Sequence, residues 1–408
     1  NLLSLSEGQW SYQAEGLLSE QTEALEAALW TAVRTFKEKQ VLSGQLARMT
    51  HQAAIDLGIE LRVLAGAEDD AAVRAGAEAL VGGAGDLDAL RALADGCEVL
   101  TLDHENVPGD VLRALEDDGI RVAPPASAKR YAQDKAYARR ALADAGFPVP
   151  PHTLVRDGAA ADAFAADHGW PLVGKLPAGG YDGRGVFELA GRAEAEEALA
   201  QAPDGILLEP LLELERELAV IVARTSDGRM ASYPVVETVQ RDAMCREIVA
   251  PAPVPAAIAA GAHDLAERIT GHIGAVGVVA VELFVSGGRL LVNELALRPH
   301  NSGHYTIEGA ETSQFEQHLR AVLGLPLGST ALRAPAVVTV NVAGTDDEGD
   351  PTERLAAALA VPGAHVHRYG KAFRPGRKLG HVTVCGEDAN TVRAAAVRAA
   401  GALEGRRS

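Results

Sequence analysis

The sequence predicts an α/β protein of 408 residues. It divides into a doubly wound parallel sheet near the start, a larger central domain of sheets and helices, and a small strand-rich domain at the end. Three observations predict this. Short apolar runs at 61–64, 99–102 and 120–122 alternate with helical stretches, the pattern of parallel βα units. Pro148, Pro150 and Pro151 punctuate the chain before the central domain's strands. Ala, Leu, Val and Gly dominate while aromatics reach only 4%, which favours layered packing over an aromatic binding surface. The expected boundaries are an atypical segment 1–40, then domains at 41–130, 131–328 and 329–408.

In the first segment, Leu25, Leu29, Val33 and Phe36 recur at helical spacing and predict one amphipathic helix over 20–37. The chain begins at Asn1 rather than methionine, so its true start is expected to be missing or altered. Gly44-Gln45 then opens a helix. A glycine at a strand end that opens a helix can form a phosphate-binding turn, although one glycine alone does not establish it. The run Thr101–Asn106 follows a strand, where open sheets usually bind ligands. Loop solvation explains Asp103 and Glu105 equally well. A helix is expected over 128–146, carrying Gln133, Asp134 and Lys135.

The strand 172–175 ends in Lys175 and is followed by Gly179, Gly180, Tyr181, Asp182, Gly183, Arg184 and Gly185. Four glycines let the backbone approach a ligand, and a lysine and an arginine beside them favour a phosphate lid. Further strands are expected at 206–209, 218–222 and 233–240. They bring Glu209, Glu217 and Gln240 into the central sheet. Exposed strand faces account for Glu213 and Glu215, but Glu217 leads directly into a buried-looking run.

The stretch 281–305 organises the rest. Two apolar runs flank Gly287-Gly288, which reads as a hairpin. A three-residue loop, 287–289, would set Glu282 and Glu294 directly opposite on one face. Opposed like charges are destabilising, and a magnesium ion between them removes that cost. Beyond the hairpin stands the polar loop of Arg298, Pro299, His300, Asn301, Ser302, Gly303 and His304. In the last domain, Lys371, Arg374, Arg377 and Lys378 cluster within one short span, either a small anion site or a solvated basic loop.

Composition limits the partners. A net charge of -18 disfavours nucleic acid and anionic membranes. No apolar run reaches the roughly 18 residues of a membrane span, and the first 40 residues lack a basic leader pattern. Cys97, Cys245 and Cys385 lie far apart and read as buried small hydrophobes in a reducing compartment. A cytoplasmic protein is expected.

In order, these motifs resemble the ATP-grasp ligases, in detail the N5-carboxyaminoimidazole ribonucleotide synthase family of purine biosynthesis. The resemblance rests on GQLARM at 44–49, DHENVP at 103–108, GGYDGRG at 179–185 and ERELAVIVAR at 215–224. It continues through VQRD at 239–242, the run 293–328 that begins NELALRPHNSGHY, and RPGRKLGHVTV at 374–384. It implies an α+β ATP-grasp centre with ATP and magnesium as cofactors. Lys135 and Lys175 would neutralise the phosphates, and the glycines of 179–185 would cover them. Backbone after Glu209 would meet adenine, and Glu217 the ribose, with Gln240 and Asn293 beside them. Glu282 and Glu294 would hold magnesium. Arg298, with Tyr181, Asp182 and Arg184, would serve catalysis on carboxyphosphate made from bicarbonate. Gly44, Gln45, Glu105, Asn301, Ser302, Lys371, Arg377 and Lys378 would bind aminoimidazole ribonucleotide. The family also implies a homodimer.

Three departures stand out. The family has a strand and a Gly-Gly-Gly-Gln-Leu turn where this chain has Lys37-Glu38-Lys39-Gln40-Val41-Leu42-Ser43-Gly44. Leu297 replaces a usual proline, and Leu176-Pro177 a more polar pair. The first departure leads to the expectation that the chain binds magnesium-ATP normally but aminoimidazole ribonucleotide poorly, because unpaired charge does not fill a buried strand. Two alternatives stay open: a formate-dependent glycinamide ribonucleotide transformylase, and an ATP-binding protein without turnover.

Overall fold

The computed structural model describes residues 44–179, 185–241, 244–345, 351–371 and 373–405. The helix expected at 20–37, the charged run 37–40, Gly180, Tyr181, Asp182, Gly183 and Arg184 lie outside the described residues. Residues 42–408 form one compact unit.

Helix 45–57 opens at Gly44 and is followed by strands β1 (Arg62–Ala65) and β2 (Glu78–Val81), which pair in parallel. Helix 87–94 leads to β3 (Leu100–Thr101), helix 109–117 to β4 (Val122–Ala123), and these two strands also pair in parallel. The expected doubly wound sheet is therefore present as two parallel pairs, with no ladder joining them among the described residues. Residues 61–64 and 100–104 line one largely apolar cavity of about 100 Å³. The expected single helix over 128–146 is two helices, 126–133 and 135–144. Asp134 ends the first and caps the second, its side chain accepting from the Tyr137 N–H at 2.8 Å.

The central region holds two sheets. The smaller has β5 (Thr153–Val155), β6 (Leu172–Lys175), β7 (Val186–Leu189) and β8 (Ile206–Pro210), in the order β5-β8-β6-β7. Helices 158–168 and 192–200 supply alanines to its core, with Leu172, Leu189, Ile206 and Leu208. The larger begins with β9 (Arg216–Arg224), β10 (Met230–Ser232), β11 (Val236–Arg241), β12 (Met244–Ala250), β13 (Gly277–Ser286) and β14 (Arg289–Ala296). Helix 256–272 packs Leu265, Ala266 and Ile269 against Val220, Val279 and Val281.

The last strands are β15 (Ala336–Ala343), β16 (His365–Arg368) and β17 (Lys378–Gly386), followed by helix 389–404. They form the expected strand-rich region, joined to the larger sheet. β15 pairs with β12, so one nine-stranded sheet runs β14-β13-β9-β11-β12-β15-β17-β16, with β10 on β9. Every residue of β15 is buried, which is why a local reading of its apolar run misses the long-range partner. Among the described residues, no helix is long and apolar enough to cross a membrane. The cysteines also differ: Cys97 is exposed, and Cys245 and Cys385 are half-buried.

Candidate active site

The hairpin β13–β14 sets the geometry. Its turn has two residues, Gly287 and Gly288, with φ of 56° and 65°, and Ser286 faces Arg289. Positive φ at both positions suits glycine and the tight turns that follow the twist of the strands. This corrects the expected three-residue loop. With a two-residue turn, Glu282 would face Asn293. A bulge after Leu283–Val292 restores the Glu282–Glu294 pairing and leaves Asn293 as the extra residue. Bulges re-aim side chains near functional sites. Here Asn293 Oδ1 lies 3.3 Å from Lys175 Nζ, and its Nδ2 donates to Glu282 at 3.5 Å.

Glu282 also pairs with Ala219 on β9, two residues from Glu217, so the three glutamates share a face. Burial, then Glu294 and Glu217, push the Glu282 pKa up to about 8. Burial likewise raises Glu217, which bonds to Gln240. Lys135, at the start of helix 135–144, pairs with Glu294. Among the described residues no three His, Cys, Asp or Glu side chains form a metal cluster. Two facing carboxylates under like-charge stress fit a hard divalent cation that completes its shell with phosphate oxygens and water.

Across the cleft, Lys175 at the end of β6 donates to Glu209 of β8 at 2.8 Å. Arg139 donates to the same carboxylate at 2.7 Å, and to the Val292 and Asn293 carbonyls at 2.5 and 3.0 Å. Burial would raise the Glu209 pKa, but Arg139 and Lys175 hold it below the ordinary carboxylate range. Arg139 thus ties the helix, the smaller sheet and the bulge together. Sequence reading missed it, although it follows Lys135 by four residues and so shares its helix face. At the base of the glycine loop, the Leu176 N–H donates to the Gly185 carbonyl at 2.8 Å. Gly179 and Gly185 both have positive φ, 78° and 76°.

The loop after β14 joins this cleft to the N-terminal strands. Arg298 Nε donates to Glu105 at 2.8 Å, and His300 Nε2 stands 3.8 Å from Glu282. Ser302 is buried, and its N–H and hydroxyl meet His300 Nδ1. Asn301 Oδ1 is buried without a hydrogen-bond partner. His304 stacks on His381 of β17 at 4.9 Å, and His381 on His367 of β16 at 4.5 Å. Lys371 lies 5.6 Å from the Tyr369 ring, and the Tyr369 hydroxyl meets His381 at 2.8 Å. The histidine stack was also missed, because its members lie up to 77 residues apart in the sequence.

The arrangement is a cleft with acids on one wall, buried cations on the other and a polar loop at one end. Three family models match the chain: a ribonucleotide synthetase preATP-grasp domain over 41–133, an ATP-grasp domain over 140–315, and a phosphoribosylaminoimidazole carboxylase C-terminal domain over 337–395. The N5-carboxyaminoimidazole ribonucleotide synthase of Mycobacterium tuberculosis is 49% identical over 353 residues, 85% of this chain and 82% of that protein. This chain belongs to the N5-carboxyaminoimidazole ribonucleotide synthase family. The synthase of Mycobacterium leprae is 50% identical over 365 residues, 85% of this chain and 83% of its own. Among solved synthase structures, that from Thermus thermophilus has a TM-score of 0.80 at 39% identity, covering 87% of this chain and 95% of its own. The Aspergillus clavatus synthase with ADP and 5-aminoimidazole ribonucleotide has a TM-score of 0.80 at 33% identity, covering 89% and 96%.

Proposed function

We propose that this chain uses ATP and bicarbonate to carboxylate aminoimidazole ribonucleotide, releasing ADP and phosphate in purine biosynthesis. The observation that carries the proposal is the loop 298–304, whose Arg298 pairs with Glu105 while His300 faces Glu282. One short segment thereby reaches both the acid wall and the N-terminal side. The names of the relatives supply the substrate.

Lys135 and Lys175 meet the ATP phosphates, Glu217 the ribose hydroxyls, and backbone after Glu209 the adenine; Gln240 and Asn293 line the same space. For Lys135 this requires its pair with Glu294 to open. Gly179, Gly180, Gly183 and Gly185 belong to the covering loop. Glu282 and Glu294 would hold magnesium, which when bound offsets phosphate charge. A bicarbonate oxygen attacks the γ-phosphorus as the bond to ADP breaks, forming carboxyphosphate. The nucleotide amine attacks its carbonyl carbon, or the carbon dioxide it releases; either way phosphate departs with the bonding pair and the nitrogen loses one proton. Arg298 clamps the carboxyphosphate anion, Tyr181, Asp182 and Arg184 serve catalysis at the nucleotide, and a closed loop keeps water from the labile intermediate. Gly44, Gln45, Glu105, Asn301, Ser302, Lys371, Arg377 and Lys378 bind the nucleotide. A cytoplasmic homodimer is the expected setting.

ADP release tests this. The expected result is bicarbonate-dependent release stimulated by aminoimidazole ribonucleotide. Stimulation by glycinamide ribonucleotide with formate would overturn the substrate, and ATP binding without any release would overturn the reaction.

A further inference from the structure

Lys129 carries no role in the reaction as described, yet it is completely buried beside Glu105. Its ammonium donates to the His104 carbonyl at 2.9 Å. One turn further along the same helix, Gln133 Nε2 donates to the carbonyls of Glu105 and Val107 at 2.7 and 2.5 Å. Three carbonyls of the loop 104–107 are therefore held by two side chains from one helix face. The carboxylate of Glu105 is divided. Oε2 accepts from Arg298 at 2.8 Å, while Oε1 is buried with no hydrogen bond, 3.8 Å from the Lys129 ammonium.

A buried ammonium is expensive, and an apolar side chain of similar volume is often at least as stable in its place. The charged groups around Lys129, Glu105, Arg298 and Asp103, belong to the loop and the anion clamp. Burial lowers Lys129 to about 8, so it remains largely protonated at neutral pH. Burial alone would raise Glu105, but Arg298 and Lys129 bring it down to about 2. Glu105 is then a fixed anion that accepts hydrogen bonds and does not donate them.

We propose that Lys129 is a positioning residue for the carboxylation, its charge holding the buried Oε1 side of Glu105 so that the carboxylate is fixed as an acceptor for the amine of the bound nucleotide. The proposal rests on the substrate reading above. An amine N–H donated to that carboxylate turns the nitrogen lone pair toward the carboxyl carbon.

Two variants test it. Lys129→Met removes charge and donor, and Lys129→Gln keeps a donor for the His104 carbonyl but removes the charge. Both are expected to raise the KM for aminoimidazole ribonucleotide by about fivefold or more, the size of one weakened polar contact. Calorimetric titration with that nucleotide should show the same loss, while the KM for ATP stays within about twofold. Three results overturn the proposal: an unchanged nucleotide KM, full recovery in Lys129→Gln, which makes the lysine only a loop tether, or parallel rises in both KM values with a lower Tm. If Lys129→Met does not fold, Lys129→Gln decides alone. Failure of the substrate reading looks different, because the wild-type chain would then neither bind this nucleotide in the calorimeter nor release ADP in response to it.

Discussion

Glu217, Glu282, Asn293 and Glu294 stand on three neighbouring strands of one nine-stranded sheet, β9, β13 and β14. The residues proposed to hold the nucleotide come instead from the start of a helix, from a loop beyond a two-residue strand, from the loop after β14, and from the 371–378 segment near the chain's end. The proposed ATP wall is a continuous ladder with a buried core beneath it, including Val220, Val279, Val281 and Val292. The nucleotide side is held mainly by side-chain contacts between distant segments, such as Arg298 with Glu105 and Lys129 with His104. Arg48 with the Arg368 carbonyl is a third. A ladder resists single substitutions because each strand is held by many bonds. A side built from separate segments depends on individual contacts. ATP-side changes should therefore alter chemistry more than architecture, and nucleotide-side changes should alter affinity.

The largest effect is expected on the ladder. Glu294→Gln keeps the side-chain volume and removes one of the two facing carboxylates. ADP production should fall on the order of 10² to 10³-fold, as for loss of one strong electrostatic contact in a transition state. Tm should be unchanged or higher, because the like-charge stress on Glu282 is relieved. Near-normal turnover at saturating magnesium would remove the proposed metal role. Next comes Arg139→Met, which leaves Glu209 with Lys175 alone. Removing one member of a buried ion network costs about 3 kcal/mol. Denaturant unfolding should show that loss together with a raised KM for ATP. A stability loss without any change for ATP would make Arg139 purely architectural.

Much of the ladder was legible in the sequence because strand periodicity is local. The even spacing of Glu282 and Glu294 about a glycine pair predicts a shared face, and the two do face each other. The route differs, since a shorter turn is offset by a bulge at Asn293, and alternation alone does not reveal a bulge. The pairing of β12 with β15 joins residues about 90 positions apart, beyond any local signal. Lys129 and Arg139 were illegible for another reason. A charged residue on a short helix ordinarily reads as solvated, and only tertiary packing shows that both are buried. On the nucleotide side, individual motifs were readable while their meeting was not.

A smaller effect tests the seam between the two sides. His318 is buried, its Nδ1 accepting from the Val278 N–H at 3.1 Å and its Nε2 lying 2.8 Å from the Thr101 hydroxyl. That hydroxyl donates to the Ala123 carbonyl, so it accepts from Nε2–H and the ring is neutral. Burial lowers its pKa from 6.5 to about 4. The unfolded chain takes up the proton below 6.5 and the folded chain does so only near 4. Stability from this group is therefore complete above pH 6.5 and lost as pH falls toward 4, on the order of 3 kcal/mol in all. Comparing Tm against pH for the wild type and His318→Gln isolates the histidine's share. Equal slopes between pH 6.5 and 4 would mean that His318 does not couple folding to protons.

The smallest effect is expected at the far end of the nucleotide side. Arg377 lies just before β17, in the basic 371–378 span of an acidic chain. A guanidinium contributes a charge-assisted hydrogen bond to a phosphate worth about 1.5 kcal/mol, close to tenfold in affinity. Arg377→Ala should raise the KM for aminoimidazole ribonucleotide about tenfold while leaving kcat nearly unchanged. A phosphate remote from the reacting amine contributes equally to the ground and transition states. The KM for ATP should not move, because Lys135 and Lys175, the lysines proposed to meet the ATP phosphates, are held by Glu294 and Glu209 on other elements. Raising ionic strength should narrow the gap between wild type and variant, since a partly exposed ion contact is screened. If instead Arg377→Ala lowers kcat and spares both KM values, the basic span acts on the chemistry. The division into a catalytic ladder and an affinity-setting side would then fail.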